Sequence, residues 1–390
     1  MDYIIDWLNL ILRWFHLITG IAWIGSSFYF MWLDYSLEPP KDPDDSVKGE
    51  NWSVHGGGFY HVKKFQKSPP QLPENLHWFK WEAYTTWVTG FLLLILLYYV
   101  RADLYLIDKF KADLNIWQAS LLGILAITLS WLAYNLLCRS VIGRNGYATA
   151  LIGFLGLLGI TAWLNTVFSD RGAFMHAGAI MGTVMAANVF MVIIPNQKKI
   201  ISSLIKGEEP DPALAASGKL RSTHNNYITL PVLIVMISNH FPLLYAQTHS
   251  WAVLGALIII GGVLRHFFNL KNQGKTILWL PILPVIGVIL LAWAIKPQTI
   301  SETEETVIFK DVAPLFQKHC VSCHAEKPTF EGLLEAPKGV ILTDERQIRL
   351  WAGSIKQQVV DSNVMPLGNL TNMSKEERLM IGSWIQSGAE

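Results

Sequence analysis

The chain has 390 residues, of which 51% are hydrophobic and 16% are charged. That charged fraction is well below the roughly 25% of a soluble domain, so the composition excludes both a disordered chain and an ordinary water-soluble globule. The 31 basic and 30 acidic residues leave a net charge of +1, so no overall basic charge argues for nucleic-acid binding.

Eight segments are long and apolar enough to cross a lipid bilayer, which takes about 20 mostly apolar residues. They predict an all-α fold, in which residues 1–296 form an eight-helix transmembrane bundle. The first segment has no small-residue cleavage site, so we interpret it as a retained helix rather than a signal peptide. The predicted helices are residues 4–32, 80–100, 116–137, 148–168, 174–195, 227–246, 251–268 and 277–296.

Lysine and arginine are distributed unevenly over the predicted loops, and such residues favour the cytoplasmic side. The loops on one side contain Lys41, Lys48, Lys63, Lys64, Lys67, Arg139, Arg144, Lys198, Lys199, Lys206, Lys219, Arg221, Lys271 and Lys275. The opposite loops contain Arg101, Lys109, Lys111 and Arg171. This bias predicts a multi-pass protein of a bacterial inner membrane, with the N-terminus and the C-terminal segment in the periplasm.

The longest loop, residues 38–79, is rich in proline, glycine and lysine and contains three consecutive glycines. No Gly-Lys-Ser/Thr follows them, so the loop is not a phosphate-binding P-loop. Two interpretations stay open. The glycines form a flexible turn, or they open the backbone for close approach to a ligand beside His55, Tyr60 and His61.

Three histidines fall in the outer half of the predicted bundle. His16 lies in the first helix, His176 starts the fifth and His240 ends the sixth. Ionisable groups within spanning helices mark functional sites by default. Three roles stay open for them: ligation of a b-type haem by two imidazoles, binding and deprotonation of a substrate, and structural hydrogen bonding within the bundle.

Beyond the bundle, residues 297–306 are polar and acidic and predict a linker, and residues 307–390 predict a soluble domain. This domain contains Cys320, Cys323 and His324 in a Cys-x-x-Cys-His motif, the signature of c-type haem attachment. The two thiols reach the two vinyl groups of one porphyrin, and His324 then lies under the iron as an axial ligand. No second cysteine pair is available for a zinc site, and no βαβ context supports a redox disulfide.

Met365, which is followed by a proline, is the predicted second axial ligand of the iron, and Met373 is the alternative. Thioether ligation raises the potential of a haem. The last helix is predicted to begin with a capping box in which Ser374 and Glu377 satisfy each other's backbone donors. Packing of the first and last helices of the domain across each other, as in class I cytochromes c, is its expected core.

Local strings along the whole chain resemble those of the bacterial integral-membrane urate oxidases, also called urate hydroxylases. The order of eight membrane helices followed by a fused cytochrome c domain is similar too, so the resemblance covers essentially the whole chain. The strings are His16–Gly25, His55–His61, Leu76–Glu82, Met185–Phe190, Ser222–Tyr227 and Ile237–Phe241.

The resemblance implies oxidation of urate to 5-hydroxyisourate in purine degradation. Electrons would pass to the fused haem c and on to the respiratory chain, through a soluble cytochrome c or a terminal oxidase, rather than to oxygen. Because a substrate near the haem transfers electrons most readily, the predicted catalytic residues are His16, His176, Asn188 and His240 in the outer part of the bundle. A non-covalent haem b in the membrane domain is a further hypothesis, since it would connect the two sides of the bundle.

Two other classes of function stay open. A quinol or b561-like membrane electron carrier with a cytochrome c domain would reduce its haem c with quinol and would not respond to urate. A transporter or channel with a redox-sensing cytochrome would move a substrate across the membrane without converting it. Reduction of the haem by urate would distinguish a urate oxidase from the electron carrier. Formation of a product from urate would distinguish it from the transporter or channel.

Overall fold

The structure, a computed structural model, describes residues 2–42, 45–69, 71–296, 307–331 and 333–389. The predicted linker at residues 297–306 lies outside the described residues. The described chain is mostly helical and has several long apolar helices, which agrees with the predicted helical class. A β-hairpin is the exception, so the all-α prediction is wrong for one loop.

Long helices make up most of the N-terminal part. Two π-helical turns, Ile95–Tyr99 and Asn188–Ile193, extend α2 and join α6 to α7. The elements are α1 (Asp2–Tyr35), β1 (Val47–His55), β2 (Gly58–Phe65), α2 (Trp81–Leu94), α3 (Ala102–Tyr105), α4 (Ile116–Arg139), α5 (Gly146–Val167), α6 (Asp170–Ala187), α7 (Ile194–Ile205), α8 (Pro212–Ser238), α9 (Pro242–Tyr245), α10 (Ser250–Asn272) and α11 (Ile282–Ala294).

Within the described residues, six helical segments are long and apolar enough to cross a membrane. They are α1, α2 with its π turn, α4, α5, the continuous run from α6 to α7, and α10. The apolar helix α11 is shorter, with 13 residues. The remaining predicted span corresponds to α8, whose N-terminal half is polar in sequence.

The bundle has two ends, because neighbouring long helices run in opposite directions. Gly178 of α6 lies against Val235 of α8, and Asn188 in the π-helical turn after α6 contacts Asn225 earlier in α8. We call the end that carries β1 and β2 the hairpin end. The opposite end, where the C-terminal segment contacts α3, is called the docking end.

The loop between α1 and α2 folds into a two-stranded antiparallel hairpin in which His55 pairs with Gly58. Gly56 and Gly57 form its turn with φ angles of 59° and 78°. Positive φ at both central residues is what a two-residue turn of this hand requires, and glycine adopts it without strain. The glycines therefore build a defined hairpin turn rather than a flexible one.

Helix α8 differs from its prediction at both ends. It begins at Pro212, where Asp211 caps it by accepting a hydrogen bond from the backbone N–H of Ala213 at 2.8 Å. Proline at the first helical position is favourable because its missing N–H has no intrahelical partner there. The helix ends at Ser238, so His240 lies in the turn beyond it rather than inside a span.

Helix α6 forms the centre of the bundle. Eleven of its residues are buried, including Phe174, His176 and Met181. Its many glycines and alanines let neighbouring backbones approach closely, which is the usual basis of helix packing in membranes. Gly178 is such a position, since a Cβ there would lie 2.6 Å from a methyl group of Val235.

The C-terminal segment contains four α-helices among its described residues: α12 (Phe309–His319), α13 (Glu345–Leu350), α14 (Ala352–Ile355) and α15 (Lys375–Gln386). The predicted packing of the first and last helices is confirmed, since the rings of Phe316 and Trp384 meet edge to face with centroids 5.8 Å apart. The capping box at Ser374 and Glu377 is confirmed as well.

One turn of the C-terminal segment touches the bundle. At Gly368, φ is +60°, and a Cβ on this residue would lie 2.9 Å from the carbonyl oxygen of Asp103 in α3. Val364 packs against the apolar cluster that includes Leu244 and Tyr245 at the same end of the bundle. The turn that contains Met365 therefore contacts the docking end of the bundle.

Candidate functional site

The Cys-x-x-Cys-His motif lies directly after α12. Cys320 ends that helix and is buried, its backbone N–H donating to the carbonyl of Phe316 at 2.9 Å. The backbone N–H of His324 donates to the carbonyl of Cys320 at 2.8 Å, so the motif forms one further helical turn. The thiols of Cys320 and Cys323 are both free.

The ring of His324 is held by a single backbone contact. Its Nδ1 lies 2.9 Å from the carbonyl oxygen of Val340, so Nδ1 carries the proton and donates it. A metal-binding histidine usually donates its other ring N–H to such an acceptor, which fixes the tautomer and the ring orientation. Nε2 is thereby left as the nitrogen with a lone pair for a metal.

Arg378 fixes the backbone beside Met365. One of its terminal nitrogens donates to the carbonyl oxygens of Val359 and Met365, and its guanidinium also reaches the side chain of Asn369. Met365 packs against the apolar cluster that contains Cys320. The alternative ligand, Met373, is 3% exposed and belongs to the same core.

These side chains fit a covalently attached haem. Two free thiols, an imidazole with an available Nε2 and a nearby thioether are the donor set of a c-type haem with His/Met ligation. Within the described part of the chain, no group of three or more His, Cys, Asp or Glu side chains could hold a metal ion by itself.

His176 is fully buried in α6, and both of its ring nitrogens are engaged by protein groups. Nδ1 lies 2.8 Å from the carbonyl of Gly172 and Nε2 lies 3.1 Å from the hydroxyl of Tyr99. Nδ1 must donate to the carbonyl, so Nε2 accepts from the tyrosine. A Cβ at Gly123 would lie 2.5 Å from Nε2, so only glycine at this position leaves room for the ring.

The other two predicted histidines lie apart from His176. The Nδ1 of His16 contacts the carbonyl of Thr86 at 3.0 Å and the hydroxyl of Thr89 at 3.1 Å, which attaches α1 to α2. His240 is exposed in the turn after α8. None of the hydrogen bonds of the described residues joins any two of the three, so their catalytic role stays a prediction.

Asn188 is not brought together with His176. The two residues are 12 positions apart on one continuous helix, which corresponds to about 18 Å along the axis. Asn188 instead donates to the side-chain oxygen of Asn225 at 2.9 Å and to the hydroxyl of Tyr134 at 3.2 Å. The predicted grouping of Asn188 with the outer histidines is therefore corrected: it lies nearer the hairpin end.

Asn188 belongs to a buried polar cluster centred on Arg221. One terminal nitrogen of Arg221 donates to Asn188 Oδ1 at 3.0 Å, and the other donates to Asn135 Oδ1 at 2.8 Å. The guanidinium lies over the ring of Tyr134, whose hydroxyl contacts His224 Nδ1 at 2.8 Å. We call this the Arg221 cluster; its members are Tyr134, Asn135, Asn188, Arg221, His224 and Asn225.

Sequence reasoning missed the centre of this cluster. The sequence pattern predicts a loop around Arg221, yet this residue lies within α8 and is 2% exposed. The available signal was spacing: Arg221, His224 and Asn225 are three and four positions apart and therefore share one helical face. A polar face inside a bundle marks a buried network rather than a loop.

A second polar group lies at the docking end, beside α3. Arg171 Nε donates to Asn239 Oδ1 at 3.0 Å, and the hydroxyl of Tyr98 donates to the same oxygen at 2.9 Å. The guanidinium of Arg171 lies 4.7 Å from the ring centroid of Tyr105. Since Tyr105 belongs to α3, this cation and its aromatic neighbours lie close to the turn that carries Met365.

The hairpin places its polar residues away from both groups. His61 Nε2 contacts Glu50 at 2.8 Å, and the ring of His61 stacks on Trp52 with centroids 4.0 Å apart. The backbone N–H of Lys41 and the His61 contact lower the pKa of Glu50. His55 and Tyr60 are exposed near the turn. No contact of the described hairpin residues indicates a ligand.

Comparison with known proteins gives one positive result. Residues 2–296 match the model of a protein family described as urate oxidase N-terminal. The match covers the helical bundle and its hairpin and ends before the C-terminal segment. No curated protein and no solved structure matches the chain.

Proposed function

The chain belongs to the urate oxidase N-terminal family, and from this premise we propose that it oxidises urate to 5-hydroxyisourate and passes the electrons to a haem c held by its own C-terminal segment. Family membership indicates an oxidase function related to urate. The electron acceptor is the further step. Its main support is the Cys-x-x-Cys-His turn, in which the hydrogen bond from His324 to Val340 leaves Nε2 available for iron.

The reaction balances without oxygen. Urate and one water molecule give 5-hydroxyisourate, two protons and two electrons, with the water oxygen bonded to C5 of the purine. Cys320 and Cys323 would hold a haem c covalently, with His324 and Met365 as the side chains available to its iron, and the bound haem would supply a one-electron acceptor. Two successive transfers therefore complete each turnover, and the protein must retain the substrate between them.

The proposed setting is the inner membrane of a bacterium. The six long apolar helices are compatible with a membrane protein, and α8 and α11 complete the proposed eight-helix bundle. The docking end then faces the periplasm together with the N-terminus and the C-terminal segment, a class I cytochrome c domain at residues 307–390. From there electrons pass on to a soluble cytochrome c or a terminal oxidase.

Oxidation is proposed to take place at the docking end. Arg171 supplies a positive charge for the urate anion, Tyr105 supplies an aromatic face, and both lie beside the helix that Gly368 contacts. Charge-assisted hydrogen bonds from arginine are among the strongest in proteins. His176 and His240 at the same end are the proposed groups for proton transfer, and His16 lies further along the bundle.

The first test is an anaerobic absorption difference spectrum of the purified, air-oxidised holoprotein before and after addition of urate. We expect the bands of reduced haem c to appear together with 5-hydroxyisourate. An additional b-type band would support a second haem among the membrane histidines. If urate leaves the haem oxidised while dithionite reduces it fully, the proposal fails; reduction by a quinol would then favour the electron-carrier alternative.

The axial ligand is tested by Met365→Ala. Loss of the thioether should abolish the methionine–iron absorption band and lower the midpoint potential of the haem. Met373→Leu is the matched control, since it removes the other candidate sulfur while preserving a buried apolar side chain, and it should change neither property. If the band persists in Met365→Ala and disappears in Met373→Leu, the ligand assignment is wrong.

A further inference from the structure

A separate group of buried polar side chains lies at the hairpin end, between α8 and α10. Asn226, Arg265 and Asn269 are 0%, 4% and 3% exposed. Arg265 Nε donates to Asn226 Oδ1 at 3.1 Å, and Asn269 Nδ2 donates to the same oxygen at 2.8 Å. We call these three residues the Arg265 cluster.

The hydrogen bonds fix which way both amides face. Arginine can only donate, so the Asn226 atom that faces Arg265 Nε is the oxygen. That oxygen in turn requires a donor from Asn269, which orients the second amide. Three buried atoms are left without a hydrogen-bond partner in the protein: Asn226 Nδ2, Arg265 Nη2 and Asn269 Oδ1.

The charge of Arg265 is not compensated either. None of the ion pairs between described residues includes Arg265, and its one hydrogen-bond acceptor is a neutral amide. The ring of Phe28 in α1 covers the guanidinium, with its centroid 3.7 Å away. An unpaired buried cation is costly, and the cost is highest at membrane depth. Such a site favours an anion.

We propose that the Arg265 cluster is a binding site for urate, at the opposite end of the bundle from the C-terminal segment. The identity of the ligand rests on the proposed function. Urate is a planar anion whose imide edge presents carbonyl, N–H and carbonyl groups. Two free donors and one free acceptor are the complement of that edge, and a site built to pair with such groups discriminates strongly against ligands that lack them.

The position of the cluster assigns it to capture of the substrate rather than to its oxidation. Tyr227 and His266 follow Asn226 and Arg265 in their helices, and they form a pair with Tyr227 Oη and His266 Nδ1 2.6 Å apart. His266 is exposed, so this pair connects the buried cluster with the surface of the hairpin end.

The test is the urate dependence of anaerobic haem c reduction in full-length holoprotein. Arg265→Gln and Asn269→Leu should each raise the half-saturating urate concentration roughly 10- to 100-fold, the loss expected for a hydrogen bond to a charged ligand. The limiting rate should stay unchanged, because electrons leave at the docking end. Lys271→Gln, which removes an exposed charge from the same helix, is the matched control and should leave both values unchanged.

The proposal would be overturned if both variants had a half-saturating urate concentration within twofold of the wild-type value. That result is expected if the free groups of the cluster bind only water. If Arg265→Gln does not yield folded holoprotein, Arg265→Lys retains the charge while losing Nη2, and it should still weaken binding. Equilibrium dialysis of labelled urate against dithionite-reduced holoprotein measures binding without turnover. A wild type that binds urate without being reduced by it, together with an Arg265→Gln variant that no longer binds it, would refute the proposed function and leave this site standing.

Methylated urates test the edge that is bound. The N–H between two carbonyls is N1, so 1-methylurate should compete with urate roughly tenfold more weakly than 7-methylurate does, because one buried hydrogen bond is lost. In Asn269→Leu the two analogues should compete equally, since the acceptor for N1–H is gone. Equal competition in the wild type would exclude recognition of the imide edge by this cluster.

Discussion

Two buried arginines at the hairpin end are accommodated in different ways. Arg221 directs its two terminal nitrogens to the amide oxygens of Asn188 and Asn135 and lies over the ring of Tyr134, which leaves its Nε as the one unpartnered atom of that guanidinium among the described residues. Arg265 shares a single amide oxygen, that of Asn226, and its surroundings retain three unpartnered polar atoms. Both residues lie in polar clusters to which α8 contributes. Most hydrogen-bonding groups of the Arg221 cluster have partners, and we call it the closed network. The Arg265 cluster retains several groups without partners, and we call it the open network.

The difference distinguishes a structural from a binding role. A network in which nearly every donor has an acceptor defines how α4, α6 and α8 pack, because buried polar groups tolerate few alternative arrangements. A network with free donors and a free acceptor adds less to packing, and under the proposal above its free groups pair with a ligand. Removing Arg221 should therefore destabilise the fold, while removing Arg265 should mainly weaken binding.

The largest expected effect is that of Arg221→Leu. It leaves the oxygens of Asn188 and Asn135 buried without donors, and breaking such a charged network costs about 3–5 kcal/mol. Arg265→Gln leaves a single oxygen short of one donor and should cost about 1–2 kcal/mol. Denaturant unfolding of the detergent-solubilised protein, followed by circular dichroism, measures both. Equal losses would contradict the distinction between the two clusters.

Gly123→Ala extends the comparison to the docking end. The added methyl group would lie 2.5 Å from Nε2 of His176 and 2.9 Å from the hydroxyl of Tyr99. Overpacking of this kind costs about 1–3 kcal/mol, so the melting temperature should fall. Gly159→Ala is the matched control, since a Cβ at that helical glycine meets no atom within 4 Å. If the two variants have the same melting temperature, the space around His176 is not tightly packed.

Tyr134→Phe removes a single hydroxyl from the closed network. That oxygen contacts both His224 and Asn188, so its loss leaves two buried groups with one partner fewer. We expect a loss of about 1–2 kcal/mol in the free energy of unfolding. Tyr147→Phe, at a tyrosine that is 92% exposed, should change nothing. An unaffected Tyr134→Phe would show that the hydroxyl is dispensable to the network.

The smallest expected effect lies outside the bundle, where water screens the charges. Lys318 and the backbone N–H of Ser374 lower the pKa of Glu377 from 4.5 to about 2. Because the folded pKa is depressed, the stabilisation is complete above pH 4.5 and is lost as the pH falls toward 2. Unfolding is followed at the haem absorbance of the holoprotein. The unfolding midpoint of Glu377→Gln should therefore approach that of the wild type as the pH falls. The control Glu335→Gln should have the same midpoint as the wild type at every pH.

Features written in contiguous residues could be predicted from the sequence. The capping box at Ser374 and Glu377 spans four consecutive positions, so it does not depend on the rest of the fold. Helices α1, α4, α5 and α10, and α2 together with its π turn, begin and end within a few residues of their predicted bounds because their apolar runs are uninterrupted. Local sequence is sufficient wherever the local pattern agrees with the tertiary environment.

The failures have a common cause. The segment from Lys219 to Asn226 is polar, and its buried side chains contact polar groups of other helices. A hydropathy pattern predicts a loop for such a polar segment, although it lies within α8. Asn188 was grouped by its supposed depth, while its partners come from α4 and α8, which no local pattern reveals. Similarly, only the pairing of β1 with β2 shows that the glycines of this loop form a hairpin turn.

The contact between Gly368 and Asp103 joins two parts of one chain. Under the proposed function, the acceptor of the first electrons is tethered to the site of oxidation, and ten residues of intervening chain span at most about 35 Å. A tethered partner has an effective concentration that dilution of the protein does not change. Transfer from urate to the C-terminal segment is therefore first order in protein. Only the onward transfer to a separate acceptor depends on the concentration of that acceptor.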